Sequence, residues 1–181
     1  MEFLPTIFEG CYLIRPKSSN DARGQFVKTF HHYEFNHHGI DFQLREQFYS
    51  ISHKNVLRGL HFQIPPCQHL KLVSCIQGKI LDVVVDLRRG TSTYGQHQLF
   101  ELSGENKEML LIPIGFAHGF LSLEDNSVML YNVSSEYSRD HDKGIHWRTA
   151  GIDWPADNPI VSERDEGFPA LKDFESPFVM E

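Results

Sequence analysis

VLRGLHFQ, residues 56–63, is the stretch on which both the fold and the chemistry of this chain turn. Side chains alternate across a strand. Regular pairing therefore sets Arg58, Leu60 and Phe62 on one face and Leu57, Gly59, His61 and Gln63 on the other. A guanidinium and an imidazole so close in sequence would then point opposite ways. A bulge at Gly59 would re-aim one of them, and glycine inside a strand is a common place for a bulge.

The segments on either side have the same character. FQLREQFYSIS (42–52) precedes it, and LKLVSCIQG (70–78), ILDVVVDLR (80–88), HQLFELS (97–103), EMLLIPIG (108–115), HGFLSLED (118–125) and VMLYNVSSEYS (128–138) follow. Each is short, rich in strand formers and closed by turn residues, which predicts an antiparallel barrel or jelly roll. GCYLIRP (10–16) and GQFVKTF (24–30) read as two further strands bracketing a turn-rich KSSNDARG. HYEFNHHG (32–39) reads as one or two helical turns ending at Gly39, with its paired histidines facing solvent. The tail from Asp153 is punctuated by prolines and is expected to wrap the barrel as loops and short helices, within one domain spanning 1–181. In LKLVSCIQG, Lys71 shares a face with Val73 and Cys75. An ammonium among inward-facing residues is costly unless it meets an anion or a wet cavity; the alternative is a solvent-facing Lys71.

Composition narrows the function. A formal charge of −7 and a pI near 5.8 argue against a nucleic-acid or anionic-membrane surface, though not against a local basic pocket. Cys11, Cys67 and Cys75 form no CxxC pair and no framework, as expected of reduced thiols in the cytoplasm. The N-terminal MEFLPTIFEG has no basic region or long apolar run, and no segment approaches a membrane span.

RGLHFQ (58–63), KLVSCIQGKILDVVVDLRRGTSTYG (71–95), LSGENKEMLLIPIGFAHGF (102–120), LYNVSSEY (130–137), GIHW (144–147), GIDWP (151–155) and SERD (162–165) occur in that order. Together they resemble the dTDP-4-dehydrorhamnose 3,5-epimerase family. The resemblance implies an all-β, cupin-type antiparallel jelly-roll barrel with short peripheral helices. It also implies a homodimer that acts without metal or other cofactor on nucleoside-diphosphate 4-keto-6-deoxy sugars. By the same resemblance His61 is the base, Asp165 its carboxylate partner and Tyr131 the proton donor on the opposite face of the sugar. Lys71 stands near the developing enolate oxygen. Arg58 and Arg23 resemble diphosphate ligands, and His118 lines the same pocket. Phe26, Gln63, Tyr137, Asp142 and Arg164 complete the implied substrate-binding set.

The chemistry explains these residue types. A C4 ketone acidifies the hydrogens on C3 and C5, because the carbanion delocalises onto oxygen. Their removal needs a base titrating near working pH, which histidine supplies. A carboxylate on the far ring nitrogen fixes the tautomer. Inversion then needs a proton delivered from the other face. A cation at the oxyanion typically contributes about 10²–10³-fold in rate.

Two regions depart from the family pattern. Lys28 stands where the family has glutamate, and Glu46-Gln47-Phe48 replaces Q-x-N. In family members these positions help hold the nucleoside, partly across the dimer, so the resemblance leaves the nucleotide open between dTDP and another such as CDP. Whether C3, C5 or both are inverted is open. A metal-dependent cupin with His61, His69 and His118 as ligands is a rival reading, although Phe62-Gln63 follows His61 where such cupins offer a second close histidine. A non-catalytic sugar-nucleotide binding module is another.

Overall fold

The computed structural model describes residues 1–180. Strands β1 (Glu2–Pro5), β2 (Tyr12–Arg15), β3 (Lys17–Asp21) and β4 (Gly24–Lys28) lead into helix α1 (His32–His37). There follow β5 (Glu46–Ser52), β6 (Leu57–Gln63), β7 (Lys71–Gln77), β8 (Lys79–Asp86), β9 (His97–Ser103), β10 (Met109–Ile112), β11 (Phe116–Ser122), β12 (Ser127–Val133) and β13 (Asp142–Gly144). A one-turn helix α2 (Glu163–Glu166) sits in the tail. The strands form a six-stranded sheet ordered β1-β2-β10-β7-β12-β5 and a five-stranded sheet ordered β13-β6-β11-β8-β9. Every strand pairing is antiparallel. This is the cupin-type jelly roll expected.

Alternation assigns the faces. Val73, Cys75, Leu110, Ile112 and Met129 of the first sheet meet Ile80, Val84, Phe100, Phe116 and Phe120 of the second in one buried cluster. Burying each such large side chain contributes roughly 1.5–3 kcal/mol. The outer face of the five-stranded sheet, with Leu60, Phe62, Val83 and Val85, is covered by Trp154, Phe174 and Phe178 of the tail. That explains why ILDVVVD carries apolar residues on both faces. The outer face of the other sheet packs on Phe35 of α1 and on Ile40 and Phe42. His31, His32, His37 and His38 are exposed, as expected. No helix among the described residues is long and apolar enough to cross a membrane.

KSSNDARG is not a turn throughout. Lys17–Asp21 forms β3 and pairs with β4 from Lys17↔Lys28 to Asp21↔Gly24, leaving only Ala22 and Arg23 as the turn. The segment reads as a loop because this hairpin joins neither sheet and β3 is exposed along its whole length, so no buried face imposes an apolar alternation. Strand β1 was likewise illegible: it is four residues long and ends in Pro5 at a sheet edge.

Candidate active site

A cavity of about 290 Å³ opens between the two sheets. Its geometry starts at Gly59. In the β6–β11 ladder His61 opposes His118, but Arg58 opposes Phe120, so β6 carries one more residue than its partner between those pairs. The bulge turns Arg58 and His61 to the same side, and both line the cavity. Only glycine fits there: φ is +123°, and an added Cβ would lie 2.7 Å from Gly119 Cα and 2.9 Å from the His118 carbonyl oxygen.

The same glycine is tied to the tail. One Asp165 oxygen accepts the Gly59 N–H at 2.9 Å, and the other lies 2.8 Å from His61 Nε2. Ser162 caps α2, its hydroxyl accepting the Asp165 N–H at 3.1 Å, which fixes the carboxylate's position. Burial pushes the Asp165 carboxyl up. The bonds from His61, Gly59 and Ser162 outweigh burial and hold it below its ordinary value. An ionised carboxylate only accepts, so His61 Nε2 carries the proton and Nδ1 is left as the basic nitrogen.

Lys71 points inward, alongside Val73 and Cys75, and donates to the His61 carbonyl oxygen at 3.1 Å. Burial brings its ammonium down to about 8, against the opposing charges of Asp142 and Asp82. Tyr131 also lines the cavity, stacked on Phe48 with ring centroids 4.7 Å apart, and burial pushes its phenol well above the ordinary range. The phenol therefore keeps its proton at neutral pH. His118 stands edge-on to Tyr131 at 6.2 Å, and its Nε2 lies 2.8 Å from buried Asp82. Burial pushes His118 down and Asp82 up, so this pair resists carrying separated charges.

Other expected residues also line the cavity. Arg58 Nε donates to Ser52 Oγ at 3.1 Å. Glu46 accepts the Tyr137 N–H at 2.7 Å, and Asp142 pairs with Arg164 at 2.6 Å. Gln63 is engaged within the protein: its oxygen accepts the Ser138 N–H at 2.6 Å and its amide donates to the Cys67 and Glu136 carbonyls. Arg23, Phe26 and Lys28 do not line the cavity. They lie on the β3–β4 hairpin, where Arg23 pairs with Asp21 and Phe26 is 64% exposed.

His61, His69 and His118 do not form a metal-ligand set. His61 and His118 each direct Nε2 at a carboxylate, and among the described residues no group of three His, Cys, Asp or Glu is placed to hold a metal. Sequence reading passed over Asp82, although it falls in phase with buried Ile80 and Val84, an unusual place for a carboxylate. Phe168 was also missed; it lies edge-on to His61 at 5.6 Å.

An antiparallel jelly roll with an imidazole–carboxylate pair, a protonated phenol and an ammonium around one inter-sheet cavity defines a cupin equipped for proton transfer. The family model for dTDP-4-dehydrorhamnose 3,5-epimerase matches residues 5–173. The enzyme of that name from Methanothermobacter thermautotrophicus is 40% identical over 176 residues, 94% of this chain and 95% of that one. The structure of dTDP-6-deoxy-D-glucose-3,5-epimerase from Legionella pneumophila, in complex with dTDP-4-keto-L-rhamnose, superposes with a TM-score of 0.92 at 34% identity, covering 96% of this chain and 94% of that one. ChmJ, a 3'-monoepimerase from Streptomyces bikiniensis solved with dTDP-quinovose, gives a TM-score of 0.89 at 32% identity, covering 93% and 87%. The chain belongs to the dTDP-4-dehydrorhamnose 3,5-epimerase family and is a carbohydrate epimerase of the isomerase class.

Proposed function

We propose that the protein inverts C3, C5 or both in a nucleoside-diphosphate 4-keto-6-deoxy sugar, using only its own side chains, in deoxysugar biosynthesis for surface polysaccharide. The observation that carries this reading is the presence of His61, Lys71 and Tyr131 around one cavity, with Asp165 on His61 Nε2. His61 Nδ1 removes the proton next to the ketone. The Lys71 ammonium donates to the enolate oxygen, and the Tyr131 phenol returns a proton from the other face. Arg58 holds the diphosphate as a remote anchor, so binding energy there positions the ring.

Arg23, Phe26 and Lys28 are assigned to a second copy's cavity in a homodimer, since their exposed hairpin does not line the inter-sheet cavity of its own chain. Three unpaired thiols suit a reducing compartment such as the cytoplasm. The nucleotide is dTDP or another such as CDP. Lys28 and Glu46 favour cytosine: an ammonium donates to its bare N3, where thymine presents an N–H, and a carboxylate accepts from its exocyclic amine.

Incubation in heavy water with dTDP- and CDP-linked 4-keto-6-deoxyglucose, followed by NMR, tests the reading. Deuterium entering C3 or C5 with inversion supports it and identifies the centres. No exchange with either substrate would remove it.

A further inference from the structure

Between Ser162 and Phe168 the tail presents two groups to one imidazole and a third behind them. Asp165 takes His61 Nε2. Phe168 lies edge-on to the His61 ring at 5.6 Å with an interplanar angle of 75°. The Arg164 guanidinium lies over the Phe168 ring, 5.2 Å from its centroid, and is itself held by Asp142 at 2.6 Å. The Phe168 ring occupies space that exists because residue 144 is glycine. Gly144 is the strand partner of His61 in the β13–β6 pairing, and a Cβ on it would overlap that ring.

We infer that Arg164 and Phe168 are positioning residues for the base, a clamp running Asp142–Arg164–Phe168–His61. A carboxylate at Nε2 fixes that nitrogen but leaves the ring free to swing about the bond. Phe168 blocks that swing, and Arg164 presses the phenyl ring in place through a cation–π contact. The inference rests on the reading of His61 as base and gives Arg164 and Asp142 a task other than binding the nucleotide. A misplacement of about 1 Å in a reacting group costs about 10²-fold in rate, so a modest loosening here is measurable.

The test uses the full chain with Phe168→Leu, Arg164→Gln and the double variant. Epimerisation kinetics, the Kd for dTDP and CDP alone, and Tm are measured for each. Each single variant should lower kcat by about tenfold or more, with KM and nucleotide Kd within about twofold of the parent. Because both act through one chain of contacts, the double should lose little beyond the worse single. Phe168→Tyr, which keeps the ring, should retain kcat. Weakened nucleotide binding in Arg164→Gln with kcat intact would make the guanidinium a ligand and overturn the clamp. So would independent, multiplying losses, or a fall in Tm with kcat unchanged. If Phe168→Leu does not fold, Arg164→Gln carries the test alone, since that side chain is 48% exposed. Solvent deuterium exchange by the parent protein tests the epimerase reading separately, so failure of one is distinguishable from failure of the other.

Discussion

Gly59 and Asp165, 106 residues apart, are joined by a hydrogen bond of 2.9 Å from backbone amide to carboxylate. That bond couples the bulge that aims His61 to the carboxylate that orients it. Asp165→Asn keeps the shape but adds a donor where only acceptors belong. Its oxygen can serve Gly59 or His61, not both. The expected outcome is a loss of at least about 10²-fold in kcat with a small change in KM, read from steady-state epimerisation. A kcat near the parent value would show that the carboxylate does not act on the base.

Gly59→Ala tests the bulge itself. The new methyl group meets backbone atoms of β11, and alanine is strained at φ +123°. Strain of this kind costs about 1–3 kcal/mol, before any clash. Urea denaturation should show destabilisation of at least that size. If the variant folds, Arg58 and His61 lose their shared face and exchange activity falls with stability.

Much of this was legible in the sequence, for identifiable reasons. Strands β7, β8, β11 and β12 show themselves because burial on one or both faces imposes apolar runs. The phase of Lys71 with Val73 and Cys75 left two faces open, inward or solvent-facing, and only the structure turns it into the cavity. For His61, simple alternation gave the face opposite Arg58 and the glycine at 59 offered a bulge that would re-aim one of them; the register against β11 shows that bulge. Phe168 gave no signal: its contact with His61 depends on the absence of a side chain at Gly144, from a different strand. Arg23, Phe26 and Lys28 do not line the cavity of their own chain, and nothing in the alternation of the exposed β3–β4 hairpin says so.

Tyr131→Phe separates removal of the proton from its return. His61 and Lys71 are untouched, so deuterium should still enter the substrate from the face of the base. Net inversion should fall by roughly 10²–10⁴-fold, the usual contribution of a positioned acid. NMR in heavy water reads both at once. Inversion at the parent rate would assign the donor elsewhere.

Lys71 should set an alkaline limit if it serves the enolate oxygen as proposed. Burial lowers its ammonium to about 8, so the charge is present below that pH and is lost above it. With the ammonium gone the enolate oxygen loses its cationic donor. Activity should therefore decline as pH rises through about 8. Lys71→Met should be slower by about 10²–10³-fold and should lack that limb. A pH–rate profile for kcat in both proteins checks the sign. Persistence of the limb in the variant would attribute it to another group.

On the proposed reading, Lys28 and Glu46 set the nucleotide preference. Thymine offers an N3–H that a carboxylate at position 28 would accept and an ammonium cannot. Cytosine offers a bare N3 to that ammonium and an exocyclic amine to Glu46. A site built for one hydrogen-bonding pattern rejects the other strongly, because the mismatch leaves buried polar groups unpaired. Titration with dTDP, CDP, GDP and UDP should therefore show CDP bound at least as tightly as dTDP. The combined Lys28→Glu and Glu46→Gln changes should swing the ratio towards dTDP by about tenfold or more, one hydrogen bond to a charged group being worth about 1.5–3 kcal/mol. If the hairpin acts across a homodimer, that swing should vanish in any variant that runs as a monomer on sizing columns. A clear dTDP preference in the parent protein would leave the two departures without a role in reading the base.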